Sequence, residues 1–214
     1  MDYSLLIQPV INSLWYFLPI LVFILFVRSP WFKGKVGEGI VNLIVKLSLN
    51  NKQYHLIKNI TLPTSDGGST QIDHVVVSPF GLFVVETKNM KGWIFGSAKQ
   101  KWWTQKFRRK SYQFQNPLHQ NHKHVKVLQE LLKLEDDQIF SVVVFVGDCK
   151  LKSKTPQNVT RDLGYVRYIK SKKQKVLNDE TITKIVSEIE TGRLTASFAT
   201  NREHVRYVRD TLQG

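Results

Sequence analysis

Three charged side chains stand at the ends of two apolar runs in IDHVVVSPFGLFVVETKN, residues 72–89. The runs are rich in valine, which is typical of strands buried on both faces of a sheet. Ionised groups are unfavourable in such surroundings unless they are paired or bind a metal ion. The three side chains are Asp73, Glu86 and Lys88, and they are the first candidates for chemistry in this chain.

Glu86 and Lys88 are two residues apart, so they project from the same face of one strand. A turn that is symmetric about Phe80 places Asp73 opposite Thr87, whereas a two-residue turn or a bulge places it opposite Glu86. Two carboxylates that converge at the end of a sheet would form an oxygen-ligand site for Mg²⁺ or Mn²⁺. The nearby ammonium could then orient a water molecule or neutralise a phosphate. The alternative is an ion pair in which a carboxylate simply satisfies Lys88.

The elements that must position these groups form one α/β domain with a mixed sheet. Glu38 lies off the apolar stripe of a predicted helix, near its start. Gly81 suits a left-handed position that closes a type I turn between the second and third strands. In chain order we expect a helix at 36–49, strands at 53–62, 71–78 and 82–88, a hairpin over 92–107 with its turn near Gly96-Ser97, a helix capped by Asn116 that runs to about Lys133, a central strand at 139–147, a short strand at 164–169, and helices near 179–190 and 202–212.

Residues 5–27 form an apolar run that is long enough to cross a bilayer as a helix. The run lacks the basic flank and small-residue cleavage site of a signal peptide, which favours a retained anchor. Asp2 is the only charged residue before it, whereas Arg28, Lys33 and Lys35 follow. The positive-inside rule therefore predicts a single-pass protein of the cell membrane whose C-terminal domain lies in the cytoplasm.

The composition points to a partner that carries phosphate. The chain has 31 Lys+Arg against 17 Asp+Glu, a formal charge of +14. A charge of this size should attract either nucleic acid or an anionic membrane surface. The single cysteine, Cys149, excludes an intrachain disulfide and a Cys-based zinc site.

A basic run with aromatic residues, KQKWWTQKFRRK, occupies residues 99–110. Rings beside cations suit single-stranded nucleic acid, and the cations alone suit any phosphate backbone or lipid headgroups. Because alternate residues of a strand point inward, we expect one of Trp102 and Trp103 to be buried. The candidate nucleic-acid-binding residues are Lys99, Lys101, Trp103, Lys106, Arg108, Arg109 and Lys110.

Three histidines, His119, His122 and His124, fall on the predicted helix after Asn116. The first two have a spacing that could bind zinc, but no acid stands beside them, so a solvated face is favoured. His74 follows Asp73 on its strand and should point to the opposite face, which favours a structural role. DGGS, residues 66–69, is a turn, since no helix opens behind it to bind phosphate.

GEGIV, IDHVVVSPFGLFVVETKN, GWIFG and QNPLHQN occur in this order. Together they resemble the NERD (nuclease-related) domain, over about residues 34–133. That family is assigned to the restriction-endonuclease-like, PD-(D/E)xK fold. The resemblance therefore implies an αβββαβ core, preceded here by one transmembrane helix. We expect an anchor and juxtamembrane segment at 1–32, a nuclease-like core at 33–150, and a C-terminal extension at 151–214 that packs on the same domain.

The resemblance implies a role for each residue that matches the motif. Glu38 corresponds to the acid of the first helix, Asp73 to the acid of the second strand, and Glu86 with Lys88 to the ExK pair. Gln120 corresponds to a polar residue of the following helix. The implied activity is Mg²⁺-dependent hydrolysis of DNA or RNA, with Asp73, Glu86 and Glu38 around the metal. The alternative is a non-catalytic module that binds nucleic acid or anionic lipid on the same fold.

Overall fold

The computed structural model describes residues 4–194, and side chains from residue 15 onward. The predicted helix at 202–212 lies outside the described residues. The helices are α1 (Ser4–Arg28), α2 (Pro30–Ser48), α3 (Pro117–Leu132), α4 (Gly164–Ser171) and α5 (Asp179–Gly192). The strands are β1 (His55–Pro63), β2 (Ser69–Ser78), β3 (Gly81–Asn89), β4 (Gly92–Phe95), β5 (Trp102–Phe107), β6 (Lys110–Gln115), β7 (Ile139–Val146), β8 (Cys149–Leu151) and β9 (Val159–Arg161).

The strands form two mixed sheets. The larger sheet has the order β1-β2-β3-β7-β9, in which β1, β2 and β3 are antiparallel and β7 and β9 run parallel to β3. Its elements follow the expected αβββαβ order as α2, β1, β2, β3, α3 and β7. The smaller sheet has the order β6-β5-β4-β8.

Helices cover both faces of the larger sheet. On one face, Val75 and Val84 pack with α3 and α5 through Leu128 and Ile185. On the other face, Val76 and Val85 pack with α2 and α4. Continuous valine runs in β2 and β3 suit this position, because both faces of these strands are removed from water.

The hairpin between β2 and β3 has a two-residue turn. Ser78 pairs with Gly81 and His74 pairs with Val85. Gly81 has φ +124°, and a Cβ atom there would lie 2.6 Å from the Phe140 ring, so glycine is needed at this turn. The same register continued by one residue sets Asp73 opposite Glu86, which resolves the question that the sequence left open.

Two sequence-based expectations about helices are corrected. Residues 164–169 are not a strand but belong to α4, whose Tyr165, Val166 and Ile169 are buried with helical spacing. The first core helix begins at Pro30 rather than near residue 36, with Ser29 as its N-cap. Its apolar stripe also faces away from the sheet, since Val36, Ile40, Leu43 and Leu47 are exposed and the buried positions are Gly37, Val41 and Val45.

The N-terminal helix was expected to span a membrane. Among residues 15–194, no single helix combines the length and hydropathy required to cross a bilayer. The segment Trp15–Arg28 and α2 meet the criterion only as a pair, which is bent by 58°.

Candidate active site at the end of strand β3

The three charged groups of the hairpin lie on the face of the larger sheet that α3 covers. Glu86 and Lys88 share this face with Val84, and Asp73 shares it with Val75. The Asp73 Oδ2 atom accepts the backbone N–H of Thr87 at 2.9 Å. This bond fixes the carboxylate of β2 against the strand that carries the other two groups.

Lys88 connects the sheet to α3. Its Nζ atom lies 2.7 Å from Glu86 Oε1 and donates to Gln120 Oε1 at 2.8 Å. The Lys88 side chain is 20% exposed, whereas that of Glu86 is 3% exposed. The ammonium therefore stands between a buried carboxylate and solvent, and Gln120 holds it there.

His124 and Thr70 extend the site, although the sequence analysis assigns a role there to neither of them. His124 Nε2 lies 3.4 Å from Glu86 Oε2, and its Nδ1 atom is 2.6 Å from Thr70 Oγ1. His124 had been grouped with two neighbouring histidines as part of a solvated face, but it is buried. The signal was its spacing, because it shares the buried stripe of α3 with Asn121, Val125 and Leu128.

The two carboxyl groups have opposite electrostatic surroundings. Burial, the Glu86 carboxylate and Glu38 raise the pKa of Asp73 well above its ordinary value, although the Thr87 N–H and Lys88 oppose them. Burial alone would also raise the pKa of Glu86, but Lys88 and His124 more than offset it and lower that pKa to about 2. The site therefore stabilises the ionised form of Glu86 and disfavours the ionised form of Asp73.

Glu38 approaches the site from α2. It forms an ion pair with Lys35 at 2.8 Å, and Lys35 also contacts Asn59 Oδ1 at 3.3 Å. Its charge contributes to the raised pKa of Asp73, which places it within electrostatic reach. Within residues 15–194, however, no three His, Cys, Asp or Glu side chains gather closely enough to hold a metal ion together.

His74 lies on the opposite face from Asp73, as expected. Its ring is buried and its Nδ1 atom is 3.4 Å from Thr87 Oγ1. Burial lowers the pKa of His74 to about 4, against the smaller opposing effects of the Glu38 carbonyl and Glu86. Its neutral ring is consistent with the structural role predicted for it.

The basic run is divided between a loop, a strand and a turn. Trp103 is 1% exposed and stacks on Phe145 with ring centroids 6.0 Å apart, so it is removed from the candidate nucleic-acid interface. Trp102 is the exposed ring of the pair. The cations are all exposed: Lys99 and Lys101 precede β5, Lys106 lies on it, Arg108 and Arg109 form the turn, and Lys110 begins β6.

The start of α3 fastens the loop before β5. Asn116 donates to the carbonyls of Ala98 and Gln100, while its Oδ1 atom accepts the N–H of Leu118. His119 Nε2 lies 2.8 Å from the Ala98 carbonyl, so this nitrogen is used within the protein rather than for zinc. The QNPLHQN motif thus joins the smaller sheet to the helix that carries Gln120 and His124.

The sequence model of the nuclease-related domain (NERD) family matches residues 33–146, more than half of the 214 residues. The chain belongs to the NERD family. An uncharacterized protein of Bacillus anthracis is 46% identical over 123 residues, which is 58% of this chain and 57% of the relative. The NERD chain described here therefore spans little more than half the length of that relative.

A structural neighbour of this NERD protein is Pyrococcus furiosus SfsA in complex with Ca²⁺. The two chains align with a TM-score of 0.29 and 17% sequence identity. The alignment covers 77% of this chain and 55% of the neighbour.

Proposed function

We propose that this NERD protein is a nuclease that hydrolyses phosphodiester bonds of DNA or RNA with the help of Mg²⁺ or Mn²⁺. Its core would then be of the restriction-endonuclease-like, PD-(D/E)xK type. The observation that supports the proposal most is the state of Glu86: its carboxylate is buried, and its Oε2 atom makes no hydrogen bond, although His124 Nε2 lies 3.4 Å from it. A histidine at this distance compensates a buried carboxylate oxygen only in part, and a bound cation would complete the compensation.

The donor set fits a hard divalent cation. Asp73 and Glu86 supply carboxylate oxygens opposite each other on β2 and β3, and Glu38 is the third acid within electrostatic reach. Magnesium sites commonly use one or two carboxylates and retain several waters. When bound there, the ion would lower the pKa of water and offset the charge that develops on the phosphate.

The remaining groups of the site have separate tasks. The Lys88 ammonium, held by Gln120 and Glu86, would stabilise negative charge on the attacking water or on a phosphate oxygen. His124 and Thr70 would hold the Glu86 carboxylate in place. Residues 99–110 would contact the phosphate backbone through their exposed cations.

The membrane attachment is part of the same proposal. Apolar residues of α1 from Trp15 to Phe26 are exposed, and the outer face of α2 continues them with Leu43 (58% exposed) and Leu47 (78% exposed). Apolar surface of this extent is typical of contact with lipid or a partner. A single-pass anchor over residues 5–27, with the catalytic domain on the cytoplasmic side, would cover α1 and account for the basic residues that follow it.

One observation favours the non-catalytic alternative, in which the same fold binds nucleic acid or anionic lipid. Lys88 already neutralises Glu86 across 2.7 Å, and no three-ligand cluster occurs in the part of the chain that the structure describes. A binding module would need the exposed cations but not Glu86.

Glu86→Gln separates these two functions. In the nuclease it should reduce Mg²⁺-dependent cleavage of single- or double-stranded DNA or RNA by at least about 100-fold, because the ligand charge is lost. The melting temperature should show that the protein still folds. Glu188→Gln, on the exposed surface of α5, is the matched control and should retain full activity. Undiminished cleavage by Glu86→Gln would remove the catalytic proposal.

A further inference from the structure

Among the described residues, no helix covers the outer face of the smaller sheet, where Trp93 and Trp102 are exposed. Ile94 and Trp103 point toward the larger sheet and pack with Val143 and Phe145. Side chains alternate along a strand, so their sequence neighbours point outward. We call this outward surface the aromatic face, and it consists of Trp93, Phe95, Trp102, Lys106, Lys150 and Lys152.

The strand register brings these residues together. Trp93 pairs with Lys106 on β5 and with Lys150 on β8, so one ring lies between two cations. Lys152 adds a third cation, with its Nζ atom 4.7 Å from the centre of the Trp93 ring. Trp102 lies four residues before Lys106 on the same strand, roughly 13 Å away along β5.

The aromatic face is exposed and positively charged. Trp93 is 47% exposed and Trp102 is 39% exposed. Lys106, Lys150 and Lys152 are also exposed. None of the residues in β4, β5, β6 and β8 is Asp or Glu. Trp103 is explained by packing in the core, whereas Trp93 contacts Phe95 and Lys152 on the outward face itself.

The rings and cations of the aromatic face fit one class of ligand better than the others. Exposed rings on a sheet stack on bases that are free of their pairing partner, and cations beside them contact the phosphates. In a duplex the bases are already stacked, so the rings of a flat sheet would gain little. An anionic lipid surface would attract the cations but would not require rings at spaced positions between them.

We propose that the aromatic face binds single-stranded nucleic acid, with separate bases stacked on Trp93 and Trp102 and the phosphates contacted by Lys106, Lys150 and Lys152. This deepens the nuclease proposal, on which it rests, by assigning the substrate class as single-stranded. Only Met90 and Lys91 separate β3, which carries Glu86 and Lys88, from β4. The smaller sheet therefore begins two residues after the strand that carries the proposed active site.

Binding can be measured separately from cleavage. The full chain carrying Glu86→Gln, in neutral detergent, would be titrated with fluorescently labelled single-stranded DNA, single-stranded RNA and duplex DNA without divalent ions. Trp93→Ala and Trp102→Ala should each weaken single-strand binding about tenfold or more, in line with the loss of base stacking. Tyr112→Ala is the control, because Tyr112 is exposed but pairs with Gln105, whose side chain points to the other face.

The outcomes distinguish the two proposals. The assignment of the aromatic face as a single-strand site would be overturned if neither tryptophan substitution changed the affinity for single strands. It would also be overturned if the substitutions lowered the affinity for duplex DNA as much as the affinity for single strands. A loss of binding to phosphatidylglycerol vesicles without any loss of single-strand binding would also overturn it and assign the face to lipid. If the tryptophan substitutions weaken single-strand binding while wild-type protein cleaves nothing, the binding site stands and the nuclease proposal fails.

Lys150→Gln combined with Lys106→Gln provides a second test that leaves the rings intact. The affinity for single strands should fall, and its dependence on salt concentration should become less steep, because fewer phosphates are neutralised. An unchanged salt dependence would contradict the assignment of these cations to the bound strand.

Discussion

At the scale of single residues, the candidate site of the free protein is unfavourable for the ionised form of one of its carboxyl groups. Asp73 is partly buried beside another carboxyl group and has a raised pKa, whereas Glu86 has a pKa of about 2 because Lys88 and His124 outweigh its burial. Because folding raises the pKa of Asp73, this residue lowers the stability of the folded protein as pH rises past the ordinary aspartate pKa of 3.8. Glu86 behaves in the opposite way, and its contribution is lost only as pH falls from 4.5 toward about 2.

Asp73→Asn should therefore stabilise the protein while abolishing cleavage. We expect a gain of roughly 0.5–2 kcal/mol at pH 7 in EDTA, typical of relieving a strained functional site. The gain should shrink as pH falls below the raised pKa of Asp73, since the wild-type carboxyl is then protonated. Melting temperatures between pH 4 and pH 8 measure this. Asp137→Asn, at an exposed position, should leave both stability and its pH dependence unchanged; a wild-type-like pH profile for Asp73→Asn would contradict the argument.

Thr70→Val tests whether His124 positions Glu86. The substitution keeps the shape of the side chain but removes the hydroxyl that lies 2.6 Å from His124 Nδ1. Activity should fall about 10–100-fold, as is typical when a residue that orients a ligand is lost. Thr61→Val is the matched control, because Thr61 is equally buried on the neighbouring strand but projects from the opposite face. Equal activities of the two variants would show that the histidine contact has no positioning role.

At the scale of elements, the sequence predicted the hairpin that carries the candidate site more reliably than the peripheral elements. The hairpin of β2 and β3 could be predicted because its valine runs and Gly81 both indicate the same structure. The register of this hairpin could not be predicted, because a turn that is one residue longer or shorter gives the same hydrophobic pattern. The segment GYVRYI predicts a strand because it is short and rich in aromatic and β-branched residues, but it forms part of the helix α4. Its helical form depends on packing, including a bond from Tyr165 Oη to the Val41 carbonyl at 3.1 Å.

The close approach of α2 to the end of β3 gives a prediction for two neighbouring glycines. A Cβ atom at Gly37 would lie 2.8 Å from Asn89 Cβ, whereas one at Gly39 would contact nothing within 4 Å. Gly37→Ala should destabilise the fold by about 1–3 kcal/mol, because α2 or β3 must move. Gly39→Ala should instead stabilise it by up to about 1 kcal/mol, through the higher helix propensity of alanine. Denaturant unfolding of both variants checks this, and a destabilised Gly39→Ala would show that α2 is not packed as described.

At the scale of the whole molecule, composition indicates a kind of partner but gives no place for it to bind. The net charge of +14 indicated a phosphate-bearing ligand. Sequence alone could not show that the exposed rings of β4 and β5 meet cations from β8, about 50 residues away in the chain. It also placed Trp103 rather than Trp102 at the interface, because alternation along a strand does not reveal which residues face the core.

In the proposed membrane-attached state, the exposed apolar stripe of α2 would face the bilayer. In proteoliposomes containing brominated lipid, a fluorophore attached at Leu47→Cys should be quenched, because this position continues the apolar surface of α1. A fluorophore at Glu188→Cys, on α5, should not be quenched. The native Cys149 is buried and should remain unlabelled in the folded protein. Equal quenching at both positions, or none at either, would contradict this orientation.

The hydrogen bonds of Asn121 should restrict where residues can be inserted or deleted in NERD proteins. Its Nδ2 atom donates to the carbonyls of Val84 on β3 and Val142 on β7, at 2.8 and 3.1 Å. One residue inserted between Asn121 and His124 would rotate the imidazole by about 100° away from Glu86. Natural insertions and deletions should therefore be absent from this stretch of α3. They should be tolerated at the Arg108-Arg109 turn, which lies between β5 and β6.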